Sequence, residues 1–582
     1  MKTFLITILL SILIVVGFVK VESFNGEFVG FGSIIREQKE FALTQDINVP
    51  EGEQLESVSF LIWQRRLDGL IIFLENPQGL RVELTRANGK FGSWYWNTTF
   101  TDTSDAFIYT AHPQFKGSFR PHQFLGWLNK GKMNGKWKLI IINKHPYAKT
   151  GVIAYWKLNF GKNAKELPVI TSTSLPLLVL NTNNGKQIPE TKKIRTTLYI
   201  VNGKEENAIA DTAGLKTIDV KLKIRGFSSR NLPKKSYSID IISDLDSMLF
   251  ANMNLPPGKE WVLSANCMEK SMIRNSLTYT LYEQAGYDAS KGTPVDIVLN
   301  GAYIGIYILQ QKILPSPEML KDTWSDSSGF MVKIDSYYDF KEGFLSDFKG
   351  RESDHKPYFQ YVYPHPKNLT TVEERRICET IHLFEHQMMN ITSTSTIDFI
   401  DITSFADYFL FQELSKNNDG YNLSAHLYLN KNHRIAIGPV WDFDRAWGNS
   451  NSNYTRLTSG WKINFHHRND YHPIPLWWDK LLSNKQFMQV LKQRWETLST
   501  TVFSVANINR QIDSLSEPIR REQAKNFKIW PVWGVKRSNF YTDPSIKNYE
   551  DEINDLKNWI VKRRLWMDTM LKKADPLTEN PA

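Results

Sequence analysis

The sequence predicts a multidomain protein: a short export signal, an N-terminal all-β sandwich, and then an α+β domain. Three observations carry that expectation. The chain has 582 residues, several times the length of a usual single domain. Residues 24–162 alternate short apolar runs with Gly, Pro and Asn turns and show almost no helical pattern. From residue 163 onward, β-branched runs are interleaved with longer stretches of helical period. Hydrophobic residues make up 41% and charged residues 23%, which excludes a disordered or fibrous chain. The net charge is only +10. Spread over this length, it permits an anionic ligand but is too dilute for a nucleic-acid-binding tail, so no nucleic-acid partner is expected.

Residues 1–23 read as a signal peptide. Lys2 gives a positive start, residues 4–19 are almost wholly apolar, and Val21-Glu22-Ser23 offers a cleavage site before Phe24. The alternative is an uncleaved anchor, because a run of about 16 to 18 apolar residues borders on spanning length. No later segment repeats it, so no stable membrane span is expected. The mature chain is placed outside the cell or in the secretory-pathway lumen. Sequons at Asn97, Asn368, Asn390, Asn422 and Asn453 suit a glycoprotein of that compartment. Cys267 and Cys378 are the only cysteines, too few for a disulfide-built scaffold or a Cys-rich zinc site. Their spacing does not decide whether they pair.

Within the sandwich, residues 57–63, 70–74, 136–142 and 153–160 read as strands, and Asn76-Pro77-Gln78-Gly79 as a turn. The polar run 161–166 closes it, which sets the second domain at 163–582. Arg65-Arg66-Leu67-Asp68-Gly69-Leu70, Leu74-Glu75-Asn76-Pro77-Gln78-Gly79, Asn134-Gly135-Lys136-Trp137-Lys138-Leu139 and the closing stretch 151–161 resemble the P domain of subtilisin-like proprotein convertases. No Gly-x-Ser-x-Gly or Ser/His/Asp set accompanies them. The resemblance therefore implies a structural or binding module.

In the second domain, residues 196–201 and 219–224 read as strands, with Val220, Leu222 and Ile224 sharing one face. Helical spacing marks 271–284, 373–389, 403–414 and a terminal helix at 546–571. In the third of these, Ser404 and Asp407 form the expected N-terminal cap pair.

The residues able to do chemistry concentrate between 403 and 448. Asn417-Asn418-Asp419-Gly420 is a strong turn signal, two short strands follow at 423–430 and 434–440, and Trp441-Asp442-Phe443-Asp444 comes next. A tight turn at Lys431-Asn432 sets Asp419 opposite Asp444 and Tyr421 opposite Asp442. Facing residues lie about 4.5 to 5.5 Å apart, so a cluster of three carboxylates is expected, stable only around a cation. Hard oxygen ligands favour Mg²⁺, Mn²⁺ or Ca²⁺ over zinc. A slip of one residue in register undoes the pairing.

From about residue 167 to 573 the chain also resembles the CotH family of spore-coat protein kinases. The motifs that carry this are Arg225-Gly226-Phe227-Ser228-Ser229, Pro233-Lys234-Lys235-Ser236-Tyr237, Trp261-Val262-Leu263, Ile273-Arg274-Asn275, Leu299-Asn300-Gly301-Ala302-Tyr303-Ile304-Gly305 and Trp441-Asp442-Phe443-Asp444. The resemblance implies an atypical protein-kinase-like fold that transfers the γ-phosphoryl group of ATP to Ser or Thr of secreted or coat proteins. It implies Asp419 as the catalytic residue that orients or deprotonates the acceptor hydroxyl. Asp442 would hold a Mg²⁺ or Mn²⁺ ion on the ATP phosphates, with Asp444 as helper and Ser424 at a further ligand position. Lys234 or Lys235 would contact phosphate, and Arg225 and Ser228 would add donors from their turn.

The chain departs from the kinase pattern at three places. Ser424 stands where a kinase catalytic loop has a metal-binding Asn. Gln311 stands where the family often has an acidic partner for the lysine. No G-x-G-x-x-G loop is present, since Gly30-Phe31-Gly32 lacks the third glycine. These departures keep a second function open, a catalytically inactive surface or matrix protein that retains the fold for binding. His466, His467 and His472 lack nearby Cys and helical spacing, and are expected as loop histidines. Trp477-Trp478 is expected in the core, and Lys557, Lys562, Arg563 and Arg564 on a solvated helix face.

Overall fold

The computed structural model describes residues 27–35, 40–89, 92–145, 151–203, 205–243, 246–313, 329–337, 342–535 and 540–573. The expected signal peptide lies outside them. No helix among the described residues is long and apolar enough to cross a membrane. The chain divides into two compact units, residues 1–243 with 296–305, and residues 244–295 with 306–582. A mostly β N-terminal region thus precedes a mixed α/β region.

The first unit opens with two sheets. One is five-stranded, in the order Glu27–Ile35, Gly151–Gly161, Gln54–Gln64, Trp94–Phe100, Phe115–Phe119, and antiparallel except for its last pair. The other is four-stranded and antiparallel, in the order Glu40–Ile47, Gly135–Asn143, Leu70–Glu75, Arg81–Arg86. Alternation explains the packing. Val58, Phe60 and Ile62 enter one core with Leu70, Ile72, Leu74, Leu139, Ile141 and Trp156, residues drawn from both sheets. The unbroken apolar run at 70–74 has a different cause. Ile71 and Phe73 join Ile140 in a second cluster, so that strand is buried on both faces.

The same unit continues with strands Leu177–Thr182, Ile194–Val201, Ile218–Arg225 and Ser236–Ile241 in antiparallel succession. Residues 296–299 run parallel to the first of them. Val220, Leu222 and Ile224 are buried between exposed or half-buried neighbours, as their alternation predicts.

The second unit pairs strand Glu260–Ser264 with residues 308–311. Its five-stranded sheet runs Gly343–Leu345, Tyr358–Tyr363, Met331–Ile334, Ala425–Leu429, Ile435–Ile437. Helices Arg274–Gln284, Thr371–Met389, Ile402–Ser415, Trp477–Ser483, Lys485–Thr500, Val505–Ile529 and Tyr549–Leu571 complete it. The helix expected from 271 begins only at Arg274, because Met272 sits at φ +58, outside any right-handed helix. Helix Ile402–Ser415 is the buried axis of the unit: every residue from Ser404 to Ser415 is inside. Asp401 caps it, its Oδ1 accepting from the Ser404 N–H at 3.1 Å. The expected Ser404/Asp407 pair does not form the cap. Asp407 instead accepts from Arg494 Nε and Nη2 at 2.8 and 2.6 Å and from the Tyr287 hydroxyl at 2.8 Å. Trp477 and Trp478 are buried as expected, each ring 5.9 Å from Phe405. The sequence places Arg563 on the solvated face of the terminal helix. It is fully buried, because its guanidinium donates to the Glu413 carbonyl and to the carbonyls of Thr458 and Gly460.

Candidate active site

The hairpin that organises the acidic residues pairs Leu427 with Ile437, Tyr428 with Ala436 and Leu429 with Ile435. The expected register is therefore off by one residue. The turn is the cause, for it holds three residues, 431–433, rather than two. Asn430 Oδ1 accepts from the N–H groups of Asn432 and Arg434 at 3.0 Å each, and His433 takes φ +54. The ladder also stops at the Leu427–Ile437 pair, so loops rather than strand pairing place Asp419, Asp442 and Asp444.

Asp419 lies in the turn that follows helix Ile402–Ser415, which is reversed by Lys416 at φ +44. Lys416 is buried and donates to the carbonyls of Tyr454 and Ser459 at 3.1 and 2.7 Å; burial pulls its ammonium down to about 6. Asp419 Oδ1 accepts from Asn418 Nδ2, and Oδ2 faces Arg445 Nη1 at 3.4 Å. Its carbonyl accepts from the Leu423 N–H at 2.9 Å. One residue anchors this turn from behind. Glu413, fully buried, accepts from the Tyr421 hydroxyl at 2.8 Å, from the N–H groups of Lys462 and Ile463 at 2.5 and 2.8 Å, and from Arg563 at 3.3 Å.

Asp442 occupies φ +68, a region that non-glycine residues enter at a cost of about 1 to 3 kcal/mol. Its N–H donates to the Tyr279 hydroxyl at 3.3 Å, and the next N–H, of Phe443, donates to Asn275 Oδ1 at 2.6 Å. Trp441 stacks on Tyr279 with ring centroids 5.9 Å apart. The helix Arg274–Gln284 thus fixes the Asp442 backbone, while Phe443 fills the core behind it. Asp444 follows, half-buried. Burial first, and then the charge of Asp442, push its carboxyl well above the ordinary carboxylate range; Arg445 opposes this, while Asp419 and Glu269 add to it.

The three acids marked in the sequence therefore share one electrostatic neighbourhood without facing one another on a ladder. Among the described residues no three His, Cys, Asp or Glu side chains converge tightly enough to hold a metal by themselves. That corrects the expected three-carboxylate cluster. The pair Asp442 and Asp444 still suits Mg²⁺, which takes one or two protein carboxylates and fills its shell with water and phosphate oxygens. Crowded acids with a single nearby guanidinium are stabilised by an added cation.

A polar cleft of about 170 Å³ opens at Asp419, bounded by Asn422, Arg445, Ser452, His467, Asp470 and His472. Asn422 Nδ2 donates to the His472 carbonyl at 2.7 Å. Ser424, at φ +55, precedes strand Ala425–Leu429. The phosphate-contact candidates belong to the first unit. Lys235 is buried and donates to Glu83 Oε1 at 2.7 Å and to the Arg230 carbonyl at 2.8 Å. Glu83 is equally buried and also meets Arg86 at 2.6 Å and His122 at 3.0 Å. Lys234 is buried, Arg225 half-buried, and Ser228 exposed in the turn that Gly226 opens at φ +100.

Asn275, Tyr279, Arg445 and Glu413 were not assigned roles from the sequence. Asn275 stood inside a marked motif and Arg445 directly follows Asp444, so proximity in sequence was a signal for both. Glu413 and Tyr279 gave none, because each acts through the fold.

An acid in a tight turn, with two further acids in its electrostatic neighbourhood, thus lies in the mixed α/β unit. The chain matches the family described as CotH kinase protein over residues 222–567, and it belongs to that family. No curated protein matches it.

Proposed function

We propose that the chain is a secreted atypical protein kinase, transferring the ATP γ-phosphoryl group to Ser or Thr hydroxyls of proteins in the secretory pathway or an extracellular coat. In that role the P-domain-like β-sandwich of residues 24–162 is a binding or structural module in front of the kinase-like domain. The observation that carries the proposal is the electrostatic grouping of Asp419, Asp442 and Asp444 within the region matched by the family. Asp442 and Asp444 would hold Mg²⁺ or Mn²⁺, which when bound offsets the negative charge of the phosphate chain. Asp419 sits at a cleft open to an acceptor side chain, with one oxygen turned to Asn418 and the other to Arg445. It orients the hydroxyl and takes its proton as the oxygen attacks the γ-phosphorus and the bond to the β–γ bridging oxygen breaks, releasing ADP. Lys235 is committed to Glu83, a pairing that parallels the kinase lysine–glutamate pair, and Lys234, Arg225 and Ser228 are the further phosphate contacts we assign.

The test is equilibrium binding of ATP to the full secreted chain with Mg²⁺ or Mn²⁺, beside Asp442→Ala and Asp419→Asn. Metal-dependent binding that Asp442→Ala abolishes and Asp419→Asn retains supports the kinase. Phosphoryl transfer should then fall about 10²- to 10⁴-fold in Asp419→Asn. No nucleotide binding with either metal leaves a kinase-shaped surface or matrix binding protein. Ser424 in place of a metal-binding Asn is the feature that favours this second function.

A further inference from the structure

A cavity of about 760 Å³ lies within the first unit; no residue given a role in phosphoryl transfer lines it, but Ile224 and Tyr237 do, beside the Arg225 and Lys235 stretches. Its volume is in the range of built ligand sites. One wall comes from the turn and strand around residues 78–82 and from Trp127 and Lys130; the other comes from residues 181–188 and 299–301.

The lining has an unusual chemistry. Four amide side chains, Gln78, Asn181, Asn184 and Gln187, border the cavity and make no side-chain hydrogen bond among the described residues. Neighbouring polar groups are engaged: Gln123 accepts from the Glu83 N–H at 2.7 Å, and Asn300 bonds Thr182. An amide both donates and accepts, which is what a sugar hydroxyl requires of its partner. Trp127 supplies a half-buried aromatic ring on the same wall, a surface suited to the apolar face of a pyranose.

Charge narrows the ligand further. No Asp or Glu lines the cavity. Arg81 is already neutralised by Glu40 and Glu75, each at 2.9 Å. Lys130 donates to the Asn300 carbonyl at 2.6 Å, and neither it nor Lys186 makes an ion pair among the described residues. One lysine on each wall, with no acid lining the cavity, favours an anionic guest. Amides distributed over both walls suit a guest with hydroxyls all round its rings.

We infer that this cavity binds an acidic oligosaccharide, about two to three sugar rings long, with Trp127 under one ring, the free amides on its hydroxyls, and Lys130 and Lys186 on its carboxylates. The site is independent of the proposed phosphoryl transfer and would stand if that activity failed.

The experiment is titration calorimetry on the full secreted chain with a triuronide, a neutral trisaccharide of the same linkage, and ATP without metal. The triuronide should bind at least about 10-fold more tightly than the neutral sugar, as expected for loss of charge-assisted contacts. Trp127→Ala should remove binding. Lys186→Ala with Asn184→Ala, both at exposed positions where the fold is spared, should weaken it about 10-fold or more. Circular dichroism reports folding in each variant. Absence of triuronide binding, equal affinity for the neutral sugar, tighter binding of ATP, or unchanged affinity in the folded double variant each overturns the proposal.

Discussion

Glu83→Gln probes the charge network that joins the two-sheet region to the first stretch matched by the family. Glu83 and Lys235 are buried to 1% and 2% exposure and lie 2.7 Å apart. Arg86 and His122 approach the same carboxylate at 2.6 and 3.0 Å, and Glu190 meets Arg86 at 2.5 Å. Burial alone would raise the Glu83 pKa. The cations around it win, Lys235 foremost, and hold the carboxyl well below the ordinary glutamate range. Glutamine keeps the shape but leaves the Lys235 ammonium buried beside Arg86 without its hydrogen-bonded carboxylate, with only the more distant Glu190 opposing it. Removing one partner of such a pair costs about 3 to 5 kcal/mol. At roughly 2 to 4 °C per kcal/mol for a unit of this size, the unfolding midpoint of the first unit should fall by about 10 °C. Differential scanning calorimetry of the full chain at neutral pH measures it. The pH dependence supplies a second readout. A carboxylate with a lowered folded pKa stabilises above its unfolded value and loses that contribution as pH falls through the folded one. The wild type should therefore lose stability on acidification more steeply than Glu83→Gln. A midpoint shift under about 2 °C, or parallel acid limbs, would refute a network held together by Glu83.

Three further outcomes follow from other groups. Glu413→Gln should destabilise the second unit by about 3 kcal/mol, since Arg563 loses its carboxylate while remaining buried; urea unfolding monitored by tryptophan fluorescence reads it, and a change below about 1 kcal/mol refutes it. His426 is buried and its pKa is lowered to about 3 by desolvation first and by Lys333 second. The unfolded chain therefore binds an extra proton between roughly pH 3 and 6.5, and stability should fall by about 1.4 kcal/mol per pH unit across that window, a slope that His426→Gln should flatten. Asn422 should carry no glycan, because its Nδ2 is held by the His472 carbonyl at 2.7 Å beside the Asp419 cleft; glycopeptide mapping that finds it occupied contradicts the site.

What could be read from the sequence follows the range of the forces involved. Strand alternation at 57–63 and 219–224 and the helical period of 403–414 are local, and the corresponding elements formed with ends shifted by a few residues. The hairpin register failed for a reason equally local yet undetermined by pattern. Two- and three-residue turns fit the same Asn430-Lys431-Asn432-His433 string, and the side-chain acceptor of Asn430 selects the longer one. The slip matters less than the register argument implied, because the ladder ends before the acids. Their grouping depends instead on Asn275 and Tyr279 gripping the backbone at Asp442 and Phe443, across more than 160 positions of chain. Glu83 presents the sharper case. Gln311 leaves the lysine motif without an acidic partner inside the family-like region. A carboxylate from the preceding β region supplies it at Lys235. Truncating the chain to residues 222–567 would strip Lys235 of that acid and also remove strands Leu177–Thr182 and Ile194–Val201, so a kinase-like domain produced alone should be less stable than the same residues within the full chain. Comparing the unfolding midpoints of the two proteins, with Lys235→Met in both, separates that cause from simple loss of packing. If Met restores the truncated form toward the full chain, the stranded charge was responsible. If it does not, the β region acts through surface burial, and the Glu83 pair is incidental to it.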